Sequence, residues 1–279
     1  MARSLLIRGM LVGLLAGLLM FTFGKVFGEP SVDRAIAFEA VKTQSAHDQA
    51  LHNHGMPGHD HASSGLAHDH ALALATEEPE PELFSRGTQS GIGLLTGTVV
   101  YSTAFGGLFA LVFAYAFGRF GRARPQAVAA LLAIAGFLAI SVVPMIIYPP
   151  NPPAIGEADT IAHRTALYFI MIAVSVAATA GGIVLRHKLT ARTDAWTASL
   201  SAIGIYVVVI AAAALILPGI DEVPADFPAT VLWNFRLASM GVQLVMWSTL
   251  GVAFGLAAER VLVAQRYAGL DGREARLVR

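Results

Sequence analysis

Six apolar stretches punctuate the chain, at approximately 5–24, 92–117, 127–148, 166–185, 199–217 and 237–257, each bounded by charges, prolines or both. A helix of about 20 apolar residues crosses the roughly 30 Å of bilayer hydrocarbon. Lipid offers the backbone no hydrogen-bond partners, so segments of this kind cross as helices. The pattern therefore predicts an all-α, polytopic membrane helix bundle with about six transmembrane helices. It divides the chain into a first transmembrane helix (1–28), a long loop (29–90), a five-helix membrane bundle (91–262) and a basic tail (263–279). The opening, Met1 to Arg8 and then apolar residues to Phe23, also has the form of a signal peptide. The following Gly24-Lys25-Val26-Phe27-Gly28-Glu29-Pro30 offers no small-x-small cleavage site, so an uncleaved first helix is expected.

The loop charges then orient the spans. Arg3 and Arg8, Arg119, Arg122 and Arg124, Arg186, Lys188 and Arg192, and the tail arginines 260, 266, 273, 276 and 279 mark every second connection as basic. The alternate short connections, 149–162 and 218–230, carry Glu157, Asp159, Asp221, Glu222 and Asp226 and no lysine or arginine. Positive charge is retained on the cytoplasmic side. Both termini are therefore expected in the cytoplasm, and the long first loop outside the cell's inner (cytoplasmic) membrane.

Composition narrows the chemistry. The chain is 55% hydrophobic and 14% charged, against about a quarter charged in soluble domains, so it cannot coat a large aqueous surface. Its net charge of zero gives no reason to expect a nucleic-acid partner; the expected partner is the lipid bilayer. There is no cysteine, which excludes disulfides, thiolate metal sites and a cysteine nucleophile. No GxxxxGK[ST] loop and no HExxH helix is present, and an enzyme is not expected. A membrane haem oxidoreductase is disfavoured because no pair of histidines sits at mid-membrane depth on separate spans.

Seven of the nine histidines fall within 47–70: His47, His52, His54, His59, His61, His68 and His70. Three pairs have the form His-x-His, and in two of them the middle residue is an aspartate, Asp60 or Asp69. Imidazole suits nickel, copper, zinc and cobalt, and carboxylate adds oxygen donors. In an extended chain, i and i+2 project to the same side, so each pair can begin a chelate. The tract has the composition of a disordered segment, and 45–82 is expected to be disordered without a ligand. Nearer the membrane, Ser31 to about Gln44 shows helical spacing of apolar residues. No tightly bound cofactor is expected. The ion is cargo, with Ni²⁺ or Zn²⁺ as possible as Co²⁺, because the donors alone select no single metal.

Polar groups near the spans complete the inventory. Glu29, Asp33 and Glu39 follow the first span, Arg86 and Gln89 precede the second, His163 and Arg164 the fourth, and Asn234 and Arg236 the sixth, with Gln243 inside it. Glu39 and His163 join the histidine tract as candidate metal ligands. Arg164 and Arg236 are expected to anchor or pair, because charges are costly at membrane depth. For Gln243 a transport role and an anchoring role both stay open. Pro144, inside the third span, frees a backbone carbonyl. Gly9, Gly13 and Gly17, Gly93 and Gly97, and Gly251 and Gly255 place small residues four apart, as close-packed helices in lipid require.

Several stretches carry a resemblance: Gly28 to Glu39 ahead of the histidine-rich insert; Ser85-Arg86-Gly87-Thr88-Gln89-Ser90-Gly91-Ile92-Gly93-Leu94; Gly136 through Pro144 to Pro153; and Asp221 to Pro228 followed by Trp233 to Ser239. In this order, over nearly the whole chain, they resemble the CbtA family of predicted cobalt transporter subunits. The resemblance implies a membrane subunit for cobalt uptake linked to cobalamin synthesis, often paired with a small, single-span, histidine-bearing subunit of the CbtB type. It points to Glu39, Arg86, Gln89, His163, Asn234 and Arg236 as positions of interest. The family is usually described with five spans, where this chain reads as six. The alternative function is a membrane accessory that senses or stores metal without transporting it.

Overall fold

The computed structural model describes residues 2–53, 85–119, 123–153, 155–156 and 158–262. Among them there are six helices long and apolar enough to cross a membrane: α1 (Ala2–Gln49), α2 (Arg86–Ala116), α3 (Pro125–Ile147), α4 (Ile161–Leu189), α5 (Ala195–Ile216) and α6 (Ala229–Leu262). No strand occurs among the described residues. The expected all-α bundle of six spans is what the chain forms.

Most helices run longer than their apolar stretches. Asn234 and Arg236, expected ahead of the sixth span, lie within α6, and His163 and Arg164 lie in the first turn of α4. Hydropathy sees only the lipid-facing length of a helix, while its hydrogen-bond ladder continues through polar residues as long as propensity allows. Caps mark the true ends. Asp194 accepts from Thr197 N–H at 2.9 Å and Thr197 Oγ1 at 2.7 Å to start α5, and Pro125 opens α3. These bonds, the backbone one first, hold the Asp194 carboxyl below its ordinary range. Gly118, at φ +90°, closes α2 in the left-handed conformation that glycine adopts without strain.

The largest departure is α1. Its helical backbone passes through a π turn at Gly24–Gly28 and continues as Glu29–Asn53. Residues 45–53, expected to be disordered, are helical. Gln44, Ala46, Gln49, Ala50 and Leu51 are tolerated in or favour helix, and the helix is already nucleated within the membrane. The 25-residue extension rises about 37 Å.

Four helices make the core. Phe113 of α2, Met246, Leu250 and Phe254 of α6 and Val128 of α3 are almost wholly buried, with Leu5, Ala16 and Met20 of α1 packed onto them. The rings of Phe109 and Phe113 stand edge-on to Phe254 at 5.3 and 5.1 Å. The α1–α2 crossing is made by glycine. A Cβ on Gly9 would run into the Gly106 carbonyl, one on Gly13 into the Ser102 carbonyl, and one on Gly17 into Ser102 Oγ and the Val99 backbone. On α6, a Cβ at Gly251 would sit 2.9 Å from Ala133 Cβ, and one at Gly255 3.2 Å from Gln126 Cα. Two of the three small-residue faces therefore pack as expected. The third does not: nothing lies within 4 Å of Gly97, and Gly93 meets only its own turn at Thr88. Gly97 lies nine residues before Gly106 on the regular part of α2, half a turn round from the face that meets α1, while Gly106, not singled out from sequence, takes the close contact with Gly9.

The remaining pair, α4 and α5, lies beside this core. The two are joined to each other by Ser175 Oγ and Tyr206 Oη at 3.0 Å and by Arg186 Nε donating to Ser199 Oγ at 2.9 Å. Leu167 and Met171 of α4 pack on Val143, Ile147 and Tyr148 at the end of α3. In α5 only Ala198 and Ala202 are buried.

Candidate functional site

The connections α3–α4 and α5–α6 and the extension of α1 meet at one end of the bundle, here called the acidic end. A small apolar cluster fastens them together: Ala35 and Phe38 of the extension, Ile155 of the third loop, and Val223, Phe227 and Val231. Phe38 stands edge-on to Phe227 at 5.2 Å. Lys42 Nζ lies 3.2 Å from Asp226 Oδ2, and its hydrogen bond holds the Asp226 carboxyl below its ordinary range.

The charges at this end pair off. Arg86 Nη2 donates to Glu29 at 2.5 Å and to Asp33 at 3.0 Å, tying the start of α2 to the extension. Arg164 Nε lies 3.2 Å from Glu222 Oε2, across from α4 to the loop before α6. This pair leaves no room beside Gly156, whose φ of +102° favours glycine and where a Cβ would also collide with Arg164 and Glu222. Arg236 Nη2 donates to Asn151 Oδ1 at 2.9 Å, and its Nε to the Pro150 carbonyl at 3.4 Å. The pairing expected of Arg164 is present, and Arg236 holds the proline-rich loop.

Between these groups opens a cleft of about 730 Å³, lined by Tyr148, Asn151, Arg164, Tyr168, Asp221 and Arg236 among others. Arg164, Arg236 and Asp221 line it and Glu222 pairs with Arg164 beside it, so the formal charges around it sum to zero. Tyr148 Oη donates to the Pro218 carbonyl at 3.0 Å across its wall.

The candidate ligands do not gather in this cleft. Glu39 and His47 project from the extension into solvent, and His163 is exposed on the first turn of α4. His52 belongs to the helical backbone ending at Asn53. His54, His59, Asp60, His61, His68, Asp69 and His70 lie outside the described residues, as does the basic tail 263–279. Among the described residues no group of three or more histidine, aspartate or glutamate side chains is placed to hold a metal ion.

Deeper in the bundle is a polar layer that sequence reading reached only through Gln243. Tyr101 of α2, 38% exposed, neighbours the Gln243 side chain of α6. Ser141 Oγ of α3 lies 3.4 Å from Gln243 Oε1 and accepts from Trp247 Nε1 at 3.0 Å. Ser141 sits in a π turn, Phe137–Val142, one turn before Pro144. The available signal was a serine three residues ahead of a mid-span proline. Tyr101 gave no signal, because a tyrosine in an apolar run also reads as an interfacial anchor.

No curated protein and no solved structure matches the chain. One protein-family model does, that of CbtA, described as a probable cobalt transporter subunit, over residues 2–259. With that match across six lipid-compatible helices and the cleft-bearing acidic end, the chain belongs to the CbtA family.

Proposed function

We propose that the chain is a membrane subunit of a divalent-metal uptake system, with Co²⁺ as cargo, and that its histidine tract captures the ion ahead of the bundle. The observation that carries this reading is the family match over residues 2–259, joined to a helical extension that leads from the bundle into the histidine tract. The acidic end faces the outside of the cytoplasmic membrane, following the loop charges. His47, His52, His54, His59, His61, His68 and His70, with Asp60 and Asp69, supply nitrogen and oxygen donors; Glu39 on the extension and His163 on the first turn of α4 serve as secondary stations. Imidazole must be neutral to bind, so capture weakens as pH falls through about 6.5. A small single-span subunit of the CbtB type is the proposed protein partner.

One observation favours the alternative of a non-transporting metal accessory: no cluster of three ionisable or histidine ligands occurs within the described bundle. Deleting 47–70 separates the two readings. A transporter keeps uptake at high cobalt and loses it at limiting cobalt, whereas a sensor or store loses its whole response. A 45–72 peptide that binds none of Co²⁺, Ni²⁺ and Zn²⁺ more tightly than millimolar overturns the capture step.

A further inference from the structure

The arginines that bridge elements at the acidic end differ in their partners. Arg86 shares two carboxylates, Glu29 and Asp33, and Arg164 lies against Glu222. Arg236 is half-buried, and both of its partners are neutral: Asn151 Oδ1 at 2.9 Å from Nη2, and the Pro150 carbonyl at 3.4 Å from Nε. Among the described residues it makes no ion pair, not even with Asp221, which lines the same cleft. A guanidinium carries five N–H donors. Two are used here, which leaves both hydrogens of Nη1 and the second of Nη2 without a protein acceptor among the described residues. A cation drawn out of bulk water is costly until an opposite charge joins it.

The fold holds this group still. Prolines occupy four of the five positions 149–153 and fix φ at each, so the acceptors at Pro150 and Asn151 are offered from a stiff loop. Pro152 is wholly buried, and Ile155 N–H donates to its carbonyl at 3.3 Å. Tyr148 is tied at the other end of the loop through its bond to the Pro218 carbonyl. Beside Arg236 opens the 730 Å³ cleft, to which α4 adds the hydroxyls of Thr165 and Tyr168. Small-molecule sites run from roughly 300 to 1,000 Å³, so the space suits an organic ligand. Ile147, Ile220 and Val223 give it apolar wall for a carbon skeleton.

We propose that Arg236 anchors an oxyanion site in this cleft, one that takes the phosphate or carboxylate group of a ligand. Parallel N–H groups on a planar guanidinium match either oxyanion two bonds at a time. Arg164 adds no net charge, because Glu222 pairs with it. Asp221, the lining carboxylate that opposes an anion, is exposed, where water and salt screen it. Arg236 stands one residue ahead of the apolar stretch 237–257, which puts the cleft at headgroup depth. Two sources of the group are therefore at hand: a soluble phosphate or carboxylate from the aqueous side, and the headgroup of an anionic phospholipid. The site is independent of the histidine tract and of the identity of the cargo.

The test uses the full chain purified in dodecyl maltoside, a detergent with neither phosphate nor carboxylate. Calorimetry titrates it with inorganic phosphate, with citrate, and with dihexanoyl phosphatidylglycerol below its micelle concentration. At least one of the three is expected to bind with a sub-millimolar Kd. Arg236→Gln keeps an amide donor for Asn151 but no charge; it is expected to weaken that binding about tenfold or more, and Arg236→Lys to recover part of it. Thr165→Trp fills the cleft and leaves the bonds of Arg236 alone. It is expected to weaken binding as well, which tests the site even where Arg236→Gln lowers the yield of folded protein. Binding of phosphate or citrate assigns a soluble ligand, and binding of the phosphatidylglycerol alone assigns a lipid headgroup. No binding by any of the three, or equal affinity in wild type, Arg236→Gln and Thr165→Trp, overturns the site.

Discussion

The four core helices and the α4–α5 pair are equally apolar yet packed by different rules. Where α1 crosses α2, glycines bring backbone against backbone, and no side chain fits between Gly9, Gly13 and their partners. In α5, large apolar side chains such as Leu215 and Ile216 are 87% and 80% exposed, and Gly204 has open space around it. In lipid there is no hydrophobic penalty for that exposure, so apolar surface alone brings no helices together. What holds the core is close approach and edge-on aromatic packing. What holds the pair is two polar contacts and one apolar cluster, in which Leu167 and Met171 meet Ile210 and Ala213 of α5 and the end of α3.

This comparison breaks most sharply at glycine. Gly13→Leu must displace the α2 backbone and is expected to cost about 3 kcal/mol or prevent assembly, read as lost yield and a lowered melting temperature in detergent. Gly204→Leu, with nothing within 4 Å, is expected to change stability by no more than about 0.5 kcal/mol. Equal losses at the two positions would erase the distinction between core and pair.

Arg86→Ala comes next. It removes a guanidinium shared by Glu29 and Asp33 and leaves Glu29 half-buried without it, at an expected cost of about 2 kcal/mol. Chemical denaturation of the solubilised chain measures it, and Arg86→Lys recovers only part because lysine cannot reach both carboxylates in a planar fork.

Trp247→Phe keeps a ring edge-on to Phe105 and Phe109 but strips the donor from Ser141; about 1 kcal/mol is expected. A loss of 3 kcal/mol or more would mean that the indole ring's volume, not its hydrogen bond, dominates there.

The smallest effect is one of pH. Asp226 has a depressed carboxyl through Lys42, so this link is complete above the unfolded aspartate value of about 3.9 and is lost only as pH falls through the lower folded value. Acidifying from pH 7 to 5 is therefore expected to release metal from the histidine tract while leaving the Lys42–Asp226 contact intact. Distance measurements between labels at 42 and 226 read the contact, and a change between pH 7 and 5 would contradict the assignment.

Span count and helix class were legible because lipid imposes one simple rule, long apolar runs in helical form. The glycine faces of α1 and α6 were legible for a related reason: spacing of four maps onto one side of any straight helix. Gly93 and Gly97 failed because they do not lie on the face of α2 that meets a neighbour, and a spacing of four says that two residues share a side without saying which side is covered. Helical spacing was legible over Ser31 to about Gln44, but its continuation to Asn53 was missed because composition was weighed over 45–53 without the helix that feeds it. At the site, Arg164 and Arg236 read correctly as paired or anchored, since a buried charge has few alternatives. Their partners Glu222 and Asn151 sit 58 and 85 residues away, and a single sequence contains no signal for such contacts. The same limit hid Tyr101 and Ser141: their chemistry arises only when three helices bring them to Gln243.

Uptake of radiolabelled cobalt by cells with and without the chain tests the whole account most directly. The account predicts faster accumulation with the full chain at limiting cobalt, and a return toward the background rate when residues 47–70 are removed. Identical accumulation in cells that hold the chain in their membrane and in cells that lack it would contradict it.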